Sequence, residues 1–496
     1  MKLEELPLNK EIIEILKDHE ISELYPPQAE ALPYVLKGEN MVLSIPTASG
    51  KSLVAYLTIV NRLIHERGKA LYIVPLKALA REKYEELKLF EKLGLKVGIS
   101  TGDLDDSDPR LARFDIIVCT SEKADSLLRH KITWVDKIKV LVIDEIHLIH
   151  NPSRGPTLEV IISRFKALNP ETQLVALSAT IKNALELSIW LDGRLIESDW
   201  RPVPLREGVC LKNEVKYDNG KIKTVEGTEQ KPLERLVENS IVNGGQVLVF
   251  VNTRRSTVSL ANKLTTIIEK NLSKKDKNNL EKMMASIKKE LPELTSVDEK
   301  LFFCLKNGVA FHNAGLSSVQ RRTVEKSFKN RIIKCIVATP TLAAGINIPA
   351  QRVIIRDLWR YDPNFGMHPI PIFEYKQQAG RAGRPRYDKF GDAITIAKNE
   401  EQREEIFNSY ILSDIEPIFS KLGSQSALRM HLLSSISTDF VDSMDGVYKF
   451  IDSTFYAYQS DTFALKDEIN EAIDFLIRNG FIEYINNDRF MATLFG

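Results

Sequence analysis

The feature that most constrains this chain is a grammar of short apolar runs separated by helical patterns. Between Met41 and Ser178 the runs are "MVLSI", "ALYIV", "KVGIS", "DIIVC", "VLVID" and "QLVALS". Each is nearly continuous Val, Ile and Leu, the mark of strands covered on both faces, and such strands are parallel ones joined by helices. The grammar returns after Gly245 with "QVLVFV", "GVAFH", "IIKCIVAT" and "RVIIR". An α/β protein with two parallel-sheet lobes in tandem is the expectation.

"SDWRPVPLREGV" supplies the prolines and polar residues of a boundary near Arg201. Residues 270–300, rich in Lys, Glu, Leu and Met, read as a surface helical insertion with a solvated charged face. After Lys398 helical patterns dominate. The last of them, a helix, then Gly480, then "FIEYI", fits the end of a winged-helix module, which either contacts DNA or acts as a structural spacer. The domains expected are 1–200, 201–398 and 399–496.

At 496 residues the chain is long enough for two to four domains, each with its own core. Lys+Arg 68 against Asp+Glu 67 leaves no global basic field, so any nucleic-acid contact must be local. The four cysteines, Cys119, Cys210, Cys304 and Cys335, are scattered and read as reduced core residues of a cytoplasmic protein. The N-terminus has an acidic amphipathic pattern unlike a signal peptide, and no apolar run approaches the roughly 20 residues of a membrane helix.

"MVLSIPTASGKS" joins a strand to a helix through Gly50-Lys51-Ser52, the tail of a phosphate-binding loop. Where the usual pattern has its first glycine, this chain has Ile45, so the stretch alone could be an ordinary strand-to-helix turn. Read as a phosphate loop, Pro46, Thr47, Ala48, Ser49 and Gly50 wrap the phosphates, Lys51 reaches the β- and γ-phosphates, and Ser52 holds Mg²⁺. A second motif supports that reading. "VLVIDEIH" ends a strand with Asp144 and Glu145, where an NTPase holds its metal and activates its water. Asp144 is the metal ligand, Glu145 the general base, and His147 couples motifs or lobes.

The strings "YPPQAEAL", "IPTASGKS", "VPLKALA", "TSEKADSLLRH", "DEIH", "LSAT", "VFVNTRR", "VATPTLAAGINIPA" and "QQAGRAGRP" follow one another in the order of superfamily 2 helicase motifs. On them the chain resembles the archaeal Hjm-type DNA helicases, relatives of the Ski-like RNA helicases and of the polymerase theta helicase domain. The resemblance covers essentially the whole chain, and that superfamily commonly dispenses with the first glycine of the phosphate loop.

The resemblance implies two tandem RecA-like P-loop domains followed by a winged-helix domain. It implies ATP and Mg²⁺ as cofactors, with Gln28 reading adenine beside Tyr25 and Pro26. Ser178 and Thr180 link hydrolysis to DNA, and Gly345, Asn347 and Gln377 take part in nucleotide binding. Arg381 and Arg384 stabilise the γ-phosphate in the transition state, as arginine fingers do. Lys77, Thr120, Lys123, Arg129, Asn252, Arg254, Thr339 and Thr341 contact the DNA strand. Phe365 and Met367, in "RDLWRYDPNFGMHPIPIFEY", sit on a hairpin that wedges the duplex apart; a packing loop is the other reading of that segment.

The implied activity is ATP-dependent 3′–5′ translocation on single-stranded DNA with unwinding of forks, in replication-fork repair and recombination. The expected protein is monomeric, engages single-stranded and forked DNA, and works beside replication or repair proteins. A Ski-like RNA helicase and a non-catalytic ATP-gated nucleic-acid clamp are the alternatives. The family continues past the end of this sequence into a ratchet domain and a helix-loop-helix domain; without them ATPase chemistry is expected and processive unwinding is in question.

Overall fold

The computed structural model describes residues 2–102, 108–290, 295–340, 342, 348–362, 366–385, 387–486 and 489–496. Each apolar run read from the sequence is a strand. In the first sheet these are β1 (Met41–Ser44), β2 (Lys69–Val74), β3 (Val97–Ser100), β4 (Ile116–Thr120), β5 (Ile138–Asp144) and β6 (Gln173–Ser178), joined by β7 (Arg194–Glu197). The order is β3-β4-β2-β5-β6-β1-β7, parallel throughout. Every residue of β1, β2, β4 and β6 is buried, the physical reason their sequences do not alternate. β7 escaped the apolar grammar because it is an edge strand with two exposed residues.

Register decides where a ligand can sit. Ser44 pairs with Ser178, and Asp144 with Leu177, so the neighbouring strands β5, β6 and β1 end at one edge. The loops carrying the phosphate-loop sequence, "DEIH" and "SAT" therefore open side by side, where open α/β sheets place their ligands.

The second sheet has β8 (Leu205–Leu211), β9 (Glu214–Tyr217), β10 (Ile222–Thr224), β11 (Val247–Phe250), β12 (Val309–His312), β13 (Cys335–Ala338), β14 (Arg352–Ile355) and β17 (Gly391–Ala397). Its order is β10-β9-β8-β17-β14-β11-β13-β12. Six strands are parallel, and β9 and β10 add an antiparallel edge. Between β14 and β17 stands an antiparallel hairpin of β15 (Trp359–Asp362) and β16 (Gly366–Pro369).

Residues 270–300 differ from the surface insertion expected. Helices Lys274–Glu290 and Ser296–Lys306 bury Leu280, Met283, Ile287, Leu301, Phe302, Cys304 and Leu305 in the second core. Most of their charges face outward, while Asp298 is buried and caps its own helix.

The chain divides into two units, Met1–Trp200 with Pro417–Gly496, and Arg201–Glu416. Residues 399–416, read from sequence as the start of the third segment, group with the second unit. Glu416 accepts the backbone N–H groups of Ile372 and Phe373 at 2.8 and 2.9 Å, and Lys216 pairs with Glu404 at 2.6 Å. The C-terminal module packs in the first unit, where Val160 joins a core with Leu422, Leu428, Leu432 and Ile469. It comprises helices Gln425–Ser437, Met444–Asp452, Phe455–Gln459 and Thr462–Arg478, then Gly480 in the left-handed region, then the β18 (Ile482–Tyr484) and β19 (Phe490–Ala492) wing.

All four cysteines are free and buried, and burial pushes the Cys119 thiol up to about 12 and Cys210 up to about 11. Among the described residues no helix is long and apolar enough to cross a membrane.

Candidate active site

From β1 the chain turns through residues 45–50 into helix Lys51–His65. Ile45 needs no glycine's freedom: it is fully buried and extends the ladder, its N–H donating to Ser178 O at 3.3 Å. The left-handed turns fall later, at Ala48 (φ +68°) and Gly50 (φ +76°). A Cβ at position 50 would also overlap the Gln28 amide, so glycine is required there on two counts. Lys51 opens the helix with its side chain buried. Its Nζ makes no hydrogen bond among the described residues and lies 3.7 Å from Glu145 Oε2. An ammonium buried with so little compensation, beside the free N–H groups of a helix start, is a site that a phosphate completes.

The carboxylates stand at the end of β5. Tyr72 OH donates to Asp144 Oδ2 at 3.1 Å, and the Glu145 N–H donates to Oδ1 at 3.0 Å. Burial pushes the Asp144 carboxyl up to about 6, helped by repulsion from Glu145 and opposed by Lys83 and Lys51. Glu145 adopts φ +56°, which swings its carboxylate off the strand direction toward Lys51.

Lys83, on helix Lys77–Leu87, was not singled out from the sequence. Its Nζ donates to Ser52 Oγ at 2.9 Å and is 3.5 Å from Glu86. The signal was there: Leu79, Ala80, Lys83 and Leu87 form the buried stripe of that helix, and a lysine stands where an apolar residue belongs. Among the described residues no cluster of three His, Cys, Asp or Glu could hold a metal. One hydroxyl and one carboxylate, Ser52 and Asp144, suit Mg²⁺, which keeps its waters and leans on substrate phosphates rather than on a protein cage.

His147 ties "DEIH" to "SAT". It is 2% exposed, and Ala179 N–H donates to its Nδ1 at 3.3 Å, with Ser178 Oγ 3.4 Å away. Burial lowers its pKa to about 4, so it is the neutral imidazole and Nδ1 is an acceptor. Gln28 is 3% exposed, with both ends of its amide engaged. Oε1 accepts from Tyr25 N–H and Nε2 donates to Gly50 O, each at 2.8 Å. The residue expected to read adenine thus also grips the phosphate loop. Trp200, not singled out from the sequence, packs at a tilt against Tyr25 with ring centroids 4.8 Å apart and accepts the Ser49 hydroxyl on its carbonyl.

Comparison with known families and proteins agrees with this geometry. Residues 25–187 match the DEAD/DEAH box helicase family, 286–386 the helicase conserved C-terminal domain and 391–483 a helix-turn-helix domain. The chain is 48% identical to the ATP-dependent DNA helicase Hel308 of Pyrococcus horikoshii, over 100% of this chain and 68% of that protein. The chain belongs to the Hel308 family. It is also 46% identical to the Hel308 of Methanocella arvoryzae, over 100% of this chain and 67% of that protein. With Hel308 of Pyrobaculum calidifontis it shares 39% identity, over 97% of this chain and 68% of that protein. The chain thus spans about two thirds of the length of these Hel308 relatives.

The remaining positions compared with Hel308 motifs differ in their surroundings. Lys77 and Arg254 are exposed at helix starts, Arg129 is half-buried and bonded to Asp125 at 3.0 Å, and Met367 is 61% exposed on β16. Thr120, Lys123 and Thr339 are buried instead; the Thr120 hydroxyl caps helix Ser121–Arg129 by accepting from Lys123 N–H. The Thr120 hydroxyl therefore serves its own helix, and contact of Thr120 and Lys123 with a DNA strand stays a proposal. Asn252 donates through Nδ2 to Trp359 O, bracing the base of the hairpin. Thr341, Gly345, Asn347 and Phe365 lie outside the described residues.

Of the two motif arginines, Arg384 is committed within the second unit. It binds Asp388 through Nε and Nη2 at 2.8 and 2.7 Å, and its Nη1 donates to Gln246 at 2.7 Å. Arg381 lies in a loop that Arg201 clamps by donating to the carbonyls of Gly380 and Ala382 at 2.9 and 3.0 Å. Gln377 is half-buried on helix Ile372–Ala379.

Proposed function

We propose that this chain hydrolyses ATP to move 3′ to 5′ along single-stranded DNA and to open forked duplexes, in the repair of stalled forks and in recombination. The observation that carries this reading is the buried Lys51 ammonium, without a hydrogen bond among the described residues and 3.7 Å from Glu145, at the edge where β1, β5 and β6 end. Lys51 holds the β- and γ-phosphates and disperses their charge. Glu145, 3.7 Å from Lys51, takes the proton of the attacking water as general base. Magnesium, held by Ser52 and Asp144, supplies charge neutralisation to the phosphates when bound.

His147 passes the state of this edge to Ser178 and Ala179, because its Nδ1 accepts from Ala179 while the next turn of chain carries Glu145. Arg381 and Arg384 are assigned to the transition-state charge; for Arg384 that role requires release from Asp388. The protein is assigned as a monomer of the cytoplasm acting on single-stranded and forked DNA beside replication or repair proteins.

The test is the steady-state ATPase rate with no nucleic acid, with single-stranded DNA and with single-stranded RNA, for the wild type and Glu145→Gln. Strong stimulation by DNA, abolished in the variant, is the expected result. Equal stimulation by RNA would favour a Ski-like RNA helicase. No turnover with any nucleic acid would favour a clamp that uses ATP only to set conformation.

A further inference from the structure

A lysine at a metal ligand is unexpected, because an ammonium and a magnesium ion compete for the same hydroxyl. Lys83 Nζ nonetheless donates to Ser52 Oγ at 2.9 Å, and its side chain is only 9% exposed. The groups that face it are acidic: Glu82 at 3.8 Å and Glu86 at 3.5 Å on its own helix, with Asp144 and Glu145 acting on it from the end of β5. Tyr56 donates its hydroxyl to Glu86 and Tyr72 donates to Asp144, so two of these carboxylates are already hydrogen-bonded. Four carboxylates thus converge on two ammonium groups, Lys51 and Lys83. Of those two, Lys83 alone is hydrogen-bonded to the Ser52 hydroxyl.

We propose that Lys83 is the resident cation of the nucleotide-free site: its ammonium substitutes for magnesium at Ser52 and must withdraw when the metal–nucleotide complex binds. It is a positioning residue rather than a catalytic one. A cluster of carboxylates in which Asp144 is buried and Glu82 and Glu145 are mostly so is costly without a counter-charge. Lys83 supplies that charge in the empty state and holds Ser52 and the end of β5 in the arrangement the metal will use. Two consequences follow from charge alone. Nucleotide without metal binds better with Lys83 present, because the ammonium offsets the carboxylates that repel a polyphosphate. Free divalent metal binds worse with Lys83 present, because the ammonium competes for Ser52.

The proposal rests on the nucleotide-site reading, and one experiment separates them. Binding of a fluorescent ADP, mant-ADP, is followed by fluorescence in EDTA and in Mg²⁺ for the wild type, Lys83→Met and Lys83→Arg. The expected result is a loss of about tenfold in EDTA for Lys83→Met, with binding in Mg²⁺ within about twofold of wild type; tenfold corresponds to about 1.4 kcal/mol. Lys83→Arg restores binding in EDTA. Mn²⁺ titrated into the nucleotide-free protein and read by electron paramagnetic resonance is expected to bind several-fold tighter to Lys83→Met. Equal losses in EDTA and in Mg²⁺, with Mn²⁺ affinity unchanged, would mean that Lys83 merely packs its helix and would overturn the proposal alone. Failure of the wild type to bind mant-ADP under either condition would overturn the nucleotide site, and this proposal with it. Should Lys83→Met not fold, Lys83→Gln, which can still donate to Ser52, carries the same comparison.

Discussion

The backbone N–H of Ala179 donates to His147 Nδ1 at 3.3 Å, joining the loops after β5 and β6 through one neutral imidazole. Burial holds His147 at about 4 against an ordinary 6.5. Between those values the unfolded chain takes up a proton that the native state refuses, so stability is intact above pH 6.5 and falls as the pH drops toward 4. The full loss from this residue is on the order of 3 kcal/mol. Urea unfolding from pH 7.5 to 4.5, in EDTA, is expected to show a flatter acid limb for His147→Gln than for the wild type. Parallel curves would place the acid sensitivity elsewhere.

Glu159 behaves in the opposite sense. Wholly buried, it accepts from Ser420 Oγ and Tyr456 N–H at 2.6 Å each, fastening the C-terminal module within the first unit. Burial pushes its carboxyl up to about 8, against the downward pull of the Ser420 hydroxyl. The native state therefore holds a proton that the unfolded chain has lost, and the stability this supplies is complete below about pH 4.5 and fades as pH rises through 8. Glu159→Gln, a neutral mimic, is expected to match wild-type stability at pH 4 and to exceed it increasingly between pH 6 and pH 9 by thermal melting.

The Arg384–Asp388 pair is buried on both sides, with side chains 9% and 5% exposed. Removing one partner leaves the other charge uncompensated, a loss of about 3–5 kcal/mol. Arg384→Ala is expected to lower the second unit's unfolding free energy by that amount, read by urea unfolding, and the double variant with Asp388→Ala to recover part of it. A full-strength fold in Arg384→Ala would show that Asp388 is satisfied without it.

On the hairpin, Tyr361 on β15 lies opposite Met367 on β16, and the two are 71% and 61% exposed. Side chains paired across an antiparallel ladder share a face, so this is an apolar surface presented together. Replacing both by alanine is expected to cut unwinding of a 3′-tailed fork about tenfold, while DNA-stimulated ATPase stays within twofold. Equal loss of both activities would return the hairpin to a packing role.

Much of this was legible in the chain itself. Strands buried on both faces write themselves as unbroken Val, Ile and Leu, and β1, β2, β4, β5 and β6 are found where those runs stand. β7, β8 and β17 were passed over, because partly exposed or Gly- and Asp-bearing strands lose that contrast. The lysine-rich 270–300 segment misled because its charges outnumber the Leu280, Met283 and Ile287 stripe that anchors it. Thr120 and Lys123 show a different limit: motif position says which loop a residue occupies, and not how deeply its side chain is buried.

The sequence by itself determined the α/β grammar, the loop at Gly50-Lys51-Ser52, the strand-end pair Asp144-Glu145 and the order of the helicase motifs. Each is a local pattern, set by side-chain period and by backbone freedom within a few residues. Only the tertiary structure decided that Lys83 meets Ser52, that Arg384 is held by Asp388 and Gln246, and that the C-terminal module packs on Val160 and Glu159. Those partnerships join different elements, or select one partner among several charges in reach. They depend on which faces the sheet order and the packing of helices bring together, and no local periodicity encodes that choice.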